Sequence, residues 1–321
     1  MRIVIDISAA NDPNAHPWLD RILHRIEDGW HVWDLTGAPD AEALMQTMLI
    51  SDPGRQGNRL RDLLVASTQR SAWTLSPHTR RLRVTARPTS EDELAPEQAC
   101  RLADEPLVIL VENRVGDGAF VARIVRELDR SLHGVWAREG EPIRFDSVGG
   151  AGQMPQEVER RTREIRYRPR LVAVVDSDRK SPGDAESGDA RRLRDTCDEH
   201  DLPCWVLAKR EAENYLPQVL LSRRPNAGAG HERTVDAWER LSDDQKDFFD
   251  MKLGLAEAPS PIEEDLYDGL TEADREILAA GFGQNVHECW NVWHVREIRR
   301  ELLTRGRGDL EHGMELIRRE L

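Results

Sequence analysis

Five carboxylates in the middle third of this 321-residue chain sit where they could do chemistry together. Glu112 ends the apolar run 107–111. Asp176 and Asp178 end the run 171–175 in the tripeptide Asp176-Ser177-Asp178, and Glu211 and Glu213 follow the run 204–207. Carboxylates just past the ends of buried strands converge on one edge of a parallel sheet, where a hard divalent cation and a phosphodiester can be held together. If Asp176-Ser177-Asp178 is extended, its spacing of two puts both carboxylates on the same side. Both can then ligate one Mg²⁺ or Mn²⁺, or one each of two ions roughly 4 Å apart. Glu213 is the preferred further ligand and Glu211 the second choice. The two share a face in an extended segment but separate by about 200° once a helix has begun. One Asp-x-Asp after a strand is commonly a turn with capping duties; acids at three successive strand ends are a stronger signal.

The elements that must place these residues are legible between 105 and 210. The runs 107–111, 143–148, 171–175 and 204–207 read as strands. Phe120, Ile124, Leu128 and Leu132 recur every four residues as one helix face. Further helices are expected around Val158, Thr162 and Ile165, and around Ala190, Leu193 and Cys197. Solid apolar strands alternating with helices predict a parallel sheet covered on both faces. Gly149-Gly150-Ala151-Gly152 falls at a strand-to-helix turn, where backbone N–H groups could meet a phosphate or simply make the turn. No Gly-x-x-x-x-Gly-Lys-Ser/Thr sequence occurs, so ATP hydrolysis by a Walker A loop is excluded.

Outside this segment the chain divides into an N-terminal small α/β domain (1–100) and a helical C-terminal region (231–321), with the catalytic domain at 101–230. The polar, proline-bearing stretch 87–93 marks the first boundary. Asp6, just inside the strand 3–7, is an active-site acid or, more commonly for a lone aspartate, a cap. Trp238, Phe248, Phe249, Leu253, Trp290, Trp293 and Ile298 are the expected core of the C-terminal region, and 294–321 reads as a solvated helical pair. No run of ~18 apolar residues predicts a membrane span. Four cysteines without paired short spacing suggest reduced thiols in cytoplasm. The net charge of −14 argues against a protein that merely coats nucleic acid. Residues 151–224, however, hold 15 Lys and Arg against 14 Asp and Glu, so the segment with most of the acidic constellation is the least acidic of the chain.

These residues resemble the Toprim domain, the Rossmann-like catalytic fold shared by topoisomerases, bacterial primases and the overcoming-lysogenization-defect (OLD) family nucleases. The resemblance rests on Val111-Glu112-Asn113-Arg114-Val115-Gly116-Asp117, on Gly149-Gly150, on Asp176-Ser177-Asp178, on Glu211-Ala212-Glu213-Asn214-Tyr215 and on Asp250-Met251-Lys252-Leu253-Gly254, covering roughly 105–255. Asn113 stands where the family has glycine, and Asp117 lies one residue further from Glu112 than the common spacing. The resemblance implies that Glu112 and Asp117 contribute to one metal site and that Asp176, Asp178 and Glu213 contribute to another or bridge. It places Lys252 near a scissile phosphate, where its point charge would stabilise developing negative charge. Arg179, Lys180, Lys209 and Arg210 flank the metal positions and would neutralise phosphates of a bound strand.

The expectation is therefore a Mg²⁺- or Mn²⁺-dependent endonuclease, holding two ions and acting on DNA or, alternatively, RNA. Homo-oligomerisation is an open expectation. The OLD-like branch implies antiviral defence beside an ATPase, which would be a separate polypeptide. A topoisomerase- or primase-like enzyme would need a nucleophilic tyrosine domain or a zinc module. Tyr167, Tyr215 and Tyr267 lie in no recognisable cleavage context. A non-catalytic Toprim scaffold is the third reading, against which stands the filling of every acidic position.

Overall fold

Two parallel four-stranded sheets organise the chain. The computed structural model describes residues 1–35, 47, 56–73, 79–90, 92–164, 167–255, 260–293, 298–306 and 308–321. The first sheet holds β1 (Arg2–Ile5), β2 (Val32–Trp33), β3 (Arg81–Val84) and β4 (Glu93–Leu94), in the order β2-β1-β3-β4. The second holds β5 (Leu107–Val111), β6 (Ile143–Ser147), β7 (Leu171–Val175) and β8 (Cys204–Val206), in the order β6-β5-β7-β8. In both, the chain runs from the first strand to one edge, then returns to the other side of that strand and continues outward. The two sheets thus share one topology.

The apolar runs of β5 and β7 are solid because every residue in them is buried, half on each face. Leu107, Ile109 and Val111, with Val172 and Val174, pack under Phe120, Val121 and Ile124 of the helix Asp117–Leu128. Val108 and Leu110, with Leu171, Ala173 and Val175, pack on the other face against Met154, Val158, Ala190 and Leu193. Those residues belong to the helices Met154–Glu164 and Gly188–Glu199. The alternation of strand side chains between faces demands this double cover.

Several expectations are corrected. The helix face from Phe120 to Leu132 is broken at Asp129, whose backbone turns extended and whose carboxylate accepts from the N–H groups of Ser131 and Leu132. A second helix, Arg130–Trp136, starts there as a capped element. Asp6 is likewise a cap: its Oδ1 accepts from the Ser8 N–H at 2.9 Å. The polar stretch 87–93 runs between β3 and β4, inside the first sheet. The helix Pro96–Asp104 still buries Ala99, Cys100, Leu102 and Ala103 in the first core, so the changeover between sheets falls at 105–106. Ile165 lies outside the described residues.

The C-terminal helices share the core of the second sheet. Trp238, Phe249, Trp290 and Ile298 are fully buried with Phe120 and Trp205, and the Phe120 ring lies 5.1 Å from that of Trp290. Leu253 and Trp293, however, are 66% and 40% exposed. Trp293 meets the Arg123 and Arg126 guanidinium groups, each 5.0 Å from its ring. The terminal helix Asp309–Glu320 is not solvated; Leu310, Gly313, Met314, Leu316 and Ile317 are buried. Its glycine lets it close on β8, because a Cβ at Gly313 would collide with the Trp205 indole.

This contact gives a paired prediction. Gly313→Ala is expected to destabilise the chain by about 1–3 kcal/mol through overpacking. Gly134→Ala, in the helix Arg130–Trp136 with open space around its Cβ position, is expected to gain roughly 0.5–1 kcal/mol. Urea unfolding of both variants checks the contrast, and equal midpoints would contradict the packing described.

Candidate metal centre

The carboxylates gather where the sheet topology leaves a crevice. From β5 the chain leaves toward β6, and from β7 it leaves toward β8, so the C-terminal ends of these adjacent strands form the switch point of the second sheet. Glu112 follows β5 and Asp176 follows β7. Beyond β8, Ser177 Oγ donates to the Lys209 carbonyl at 2.6 Å and the Asp178 N–H to the Arg210 carbonyl at 2.9 Å. These bonds lash the loop after β7 to the segment carrying Glu211. The Ala212 N–H then donates to Asp176 Oδ1 at 2.9 Å.

Asp176, Glu211 and Glu213 each offer a carboxylate oxygen, and these oxygens lie within 4.8 Å of one another. The uncertainty over Glu211 and Glu213 is resolved by the turn itself. Glu211 is extended and caps a short 3₁₀ turn, Ala212–Tyr215, that carries Glu213. Both therefore reach the cluster, the second choice Glu211 together with the preferred Glu213. Lys252 enters from the 250–254 loop, its Nζ 2.6 Å from Glu211 Oε2 and 3.4 Å from Glu213 Oε2. The Met251 N–H donates to Glu211 Oε1 at 2.7 Å.

The electrostatics follow from crowding acids in a partly dry crevice. Burial, then the neighbouring Asp117 and Glu213, pushes Asp176 well above the usual carboxylate range. Burial and Glu213 push Glu211 up to about 7. Burial raises Glu213 as well, against the pull of Lys252. Asp117, at the first position of the helix Asp117–Leu128, feels Glu112, Glu211 and Asp176 and rises to about 6, mainly through burial. Its Oδ2 accepts from the Asn113 N–H at 2.8 Å. For Lys252, burial acts downward, but Glu211, Glu213 and Asp176 outweigh it and hold the ammonium above its ordinary value.

Asp178 and Glu112 stand apart from the triad. Asp178 has a left-handed backbone (φ 54°), so the tripeptide is not extended throughout, and its carboxylate is not among the three that gather. Burial and the Asp178 charge both raise Glu112. The glycine turn follows β6. Gly149 and Gly150 supply its positive φ values, 77° and 150°.

The flanking cations are already engaged. Arg179 pairs with Glu186 at 3.0 Å, Lys180 with Glu263 at 3.3 Å, and Arg210 with Asp250 at 2.7 Å. Lys209 departs most from its expected phosphate role. It is 5% exposed, paired with Asp247 at 2.5 Å, and lowered to about 8 by burial.

The triad fits a divalent cation. Glu213 Oε2 is buried and makes no well-formed hydrogen bond, with only the Lys252 ammonium at 3.4 Å, so a cation would complete its coordination. Three ionised carboxylates against one ammonium leave two negative charges, and all the donors are hard oxygens suited to Mg²⁺ or Mn²⁺. Asn214 carries no charge and no ligand atom that points to a site, but its spacing of three from Glu211 matches the capping box that it forms there. Comparison with protein-family models, with curated proteins and with solved structures gave no match.

A pH dependence follows. The folded chain holds the protons of Asp117 and Glu211 up to about 6 and about 7, against ordinary values of 3.8 and 4.5. Between those limits the folded state binds more protons than the unfolded one, so these groups remove stability as pH rises from about 4 to about 7. In EDTA, Glu211→Gln is expected to lose less thermal stability than the wild type across this window. Calorimetric melts at several pH values check this; an identical slope in both proteins would contradict it.

Proposed function

We propose that the chain is a divalent-metal-dependent phosphodiesterase that cleaves nucleic acid, with DNA as the first substrate class and RNA as the alternative. The observation that carries this reading is the Asp176–Glu211–Glu213 triad, with Lys252 seated in it, at the switch point of a parallel sheet. The resemblance to Toprim nucleases of the OLD-like branch supports the same reading through Glu112, Asp117, Asp176, Asp178, Glu213 and Lys252. An ATPase acting with it in antiviral defence would be a separate polypeptide.

Asp176, Glu211 and Glu213 would hold the ion, with Asp117 and Glu112 beside them adding negative potential. A bound Mg²⁺ or Mn²⁺ supplies an activated water and stabilises charge on the phosphoryl oxygens. The chain's own groups do the rest. Lys252 presents a compact cation at the crevice, suited to negative charge developing on a phosphate. Asp117, beside the ligands, holds its proton to about 6, which suits its carboxylate to proton transfer. Asp176 is oriented by the Ala212 N–H and Glu211 by the Met251 N–H, which limits the reorganisation required on binding.

The test is incubation of purified protein with supercoiled plasmid, single-stranded DNA and RNA in Mg²⁺, Mn²⁺ or EDTA. Cleavage is expected with metal alone. Asp176→Asn and Lys252→Ala are each expected to lose on the order of 100-fold or more in rate. Cleavage in EDTA, or full activity in both variants, would overturn the reading.

A further inference from the structure

We infer that Asn214 is a positioning residue that fixes the distance between the carboxylate triad and Lys252. The inference rests on the metal reading above and concerns how that site is held.

Asn214 is fully buried, and all of its polar groups are used. Its Oδ1 accepts the Glu211 N–H at 2.9 Å, and its own N–H returns to the Glu211 carbonyl at 3.0 Å. Its Nδ2 donates to the carbonyls of Lys246 at 2.7 Å and Phe249 at 2.9 Å. The Asn214 carbonyl accepts from Lys209 Nζ at 3.3 Å and Arg305 Nη2 at 3.0 Å. One side chain thus joins two segments far apart in sequence. The first is the turn bearing Glu211 and Glu213. The second is the end of the helix Asp243–Phe248, whose last carbonyls lack helical partners and from which the chain runs directly to Lys252.

The geometry selects the amide. Two carbonyl oxygens on one side need a group that donates twice, and one N–H on the other needs an acceptor. At this size only asparagine supplies both. An aspartate of equal shape would turn a carboxylate oxygen toward two carbonyls. Serine could satisfy at most one of them. Either change would remove the side-chain tie between the 211–215 turn and the 246–249 backbone, loosening the placement of Lys252 relative to Glu211 and Glu213. Residues that orient metal ligands in this way typically change affinity by roughly 10–100-fold when replaced.

The experiment titrates Mn²⁺ alone into the full chain by calorimetry, with wild type, Asn214→Asp and Asn214→Ser side by side and far-UV circular dichroism on each. A folded Asn214→Asp variant is expected to bind Mn²⁺ about 10–100-fold more weakly, with Asn214→Ser between it and the wild type. A folded variant with wild-type affinity overturns the positioning role, even if it melts at a lower temperature. Failure of the wild type to bind Mn²⁺ would instead overturn the metal reading, which separates the two failures. If neither variant folds, amide hydrogen exchange on the wild type decides. Mn²⁺ should protect 246–252 together with 209–216, and protection of 209–216 alone overturns the inference.

Discussion

Mutual repulsion among buried carboxylates, offset by the one ammonium of Lys252, is the constraint on which this site depends. Asp176, Glu211 and Glu213 bring oxygens within 4.8 Å of one another, and burial first, then the like charges so placed, raise their proton affinity. The cost is met locally by lysine, by backbone donors at Ala212 and Met251, and by retained protons. An arrangement that costs stability and leaves one ammonium to serve two buried glutamates is poor as a structural device. It is a sound device for capturing a divalent ion.

The fold makes that crowding possible by holding the acids on rigid strand ends. β5 and β7 pair in register from Val108–Leu171 to Leu110–Ala173 and are buried on both faces, so Glu112 and Asp176 leave the sheet from fixed points. The C-terminal helices complete the design by packing into the same core and delivering the 250–254 loop. Gly254 and Gly281, both at positive φ, let the two backbones cross there; a Cβ on either would strike the other strand. The Phe282 and Gly283 N–H groups then bond to the Met251 and Lys252 carbonyls at 2.8 and 3.0 Å, fixing the backbone under the lysine. The first sheet repeats the topology of the second, with Asp6 ending β1 as Glu112 ends β5. Asp6, however, spends its carboxylate on a cap.

Much of the second sheet was legible because parallel strands buried on both faces leave solid apolar runs, as at 107–111 and 171–175. The two-residue strand Glu93–Leu94 leaves no such trace. The acids at strand ends were legible by position. Their grouping was not, since it turns on the left-handed backbone of Asp178 and on where the 3₁₀ turn after Glu211 begins. The terminal helix misled because its charges read as solvated. Glu320 is in fact buried between Arg80 and Arg168, a pairing that joins segments more than 150 residues apart.

The most direct test of the central claim is a crystal structure of the chain grown with Mn²⁺ and measured at a wavelength where manganese scatters anomalously. The account predicts an anomalous peak among the carboxylates of Asp176, Glu211 and Glu213, with Lys252 Nζ drawn away from Glu213. A map without that peak at saturating Mn²⁺, with Lys252 still bridging Glu211 and Glu213, would contradict it.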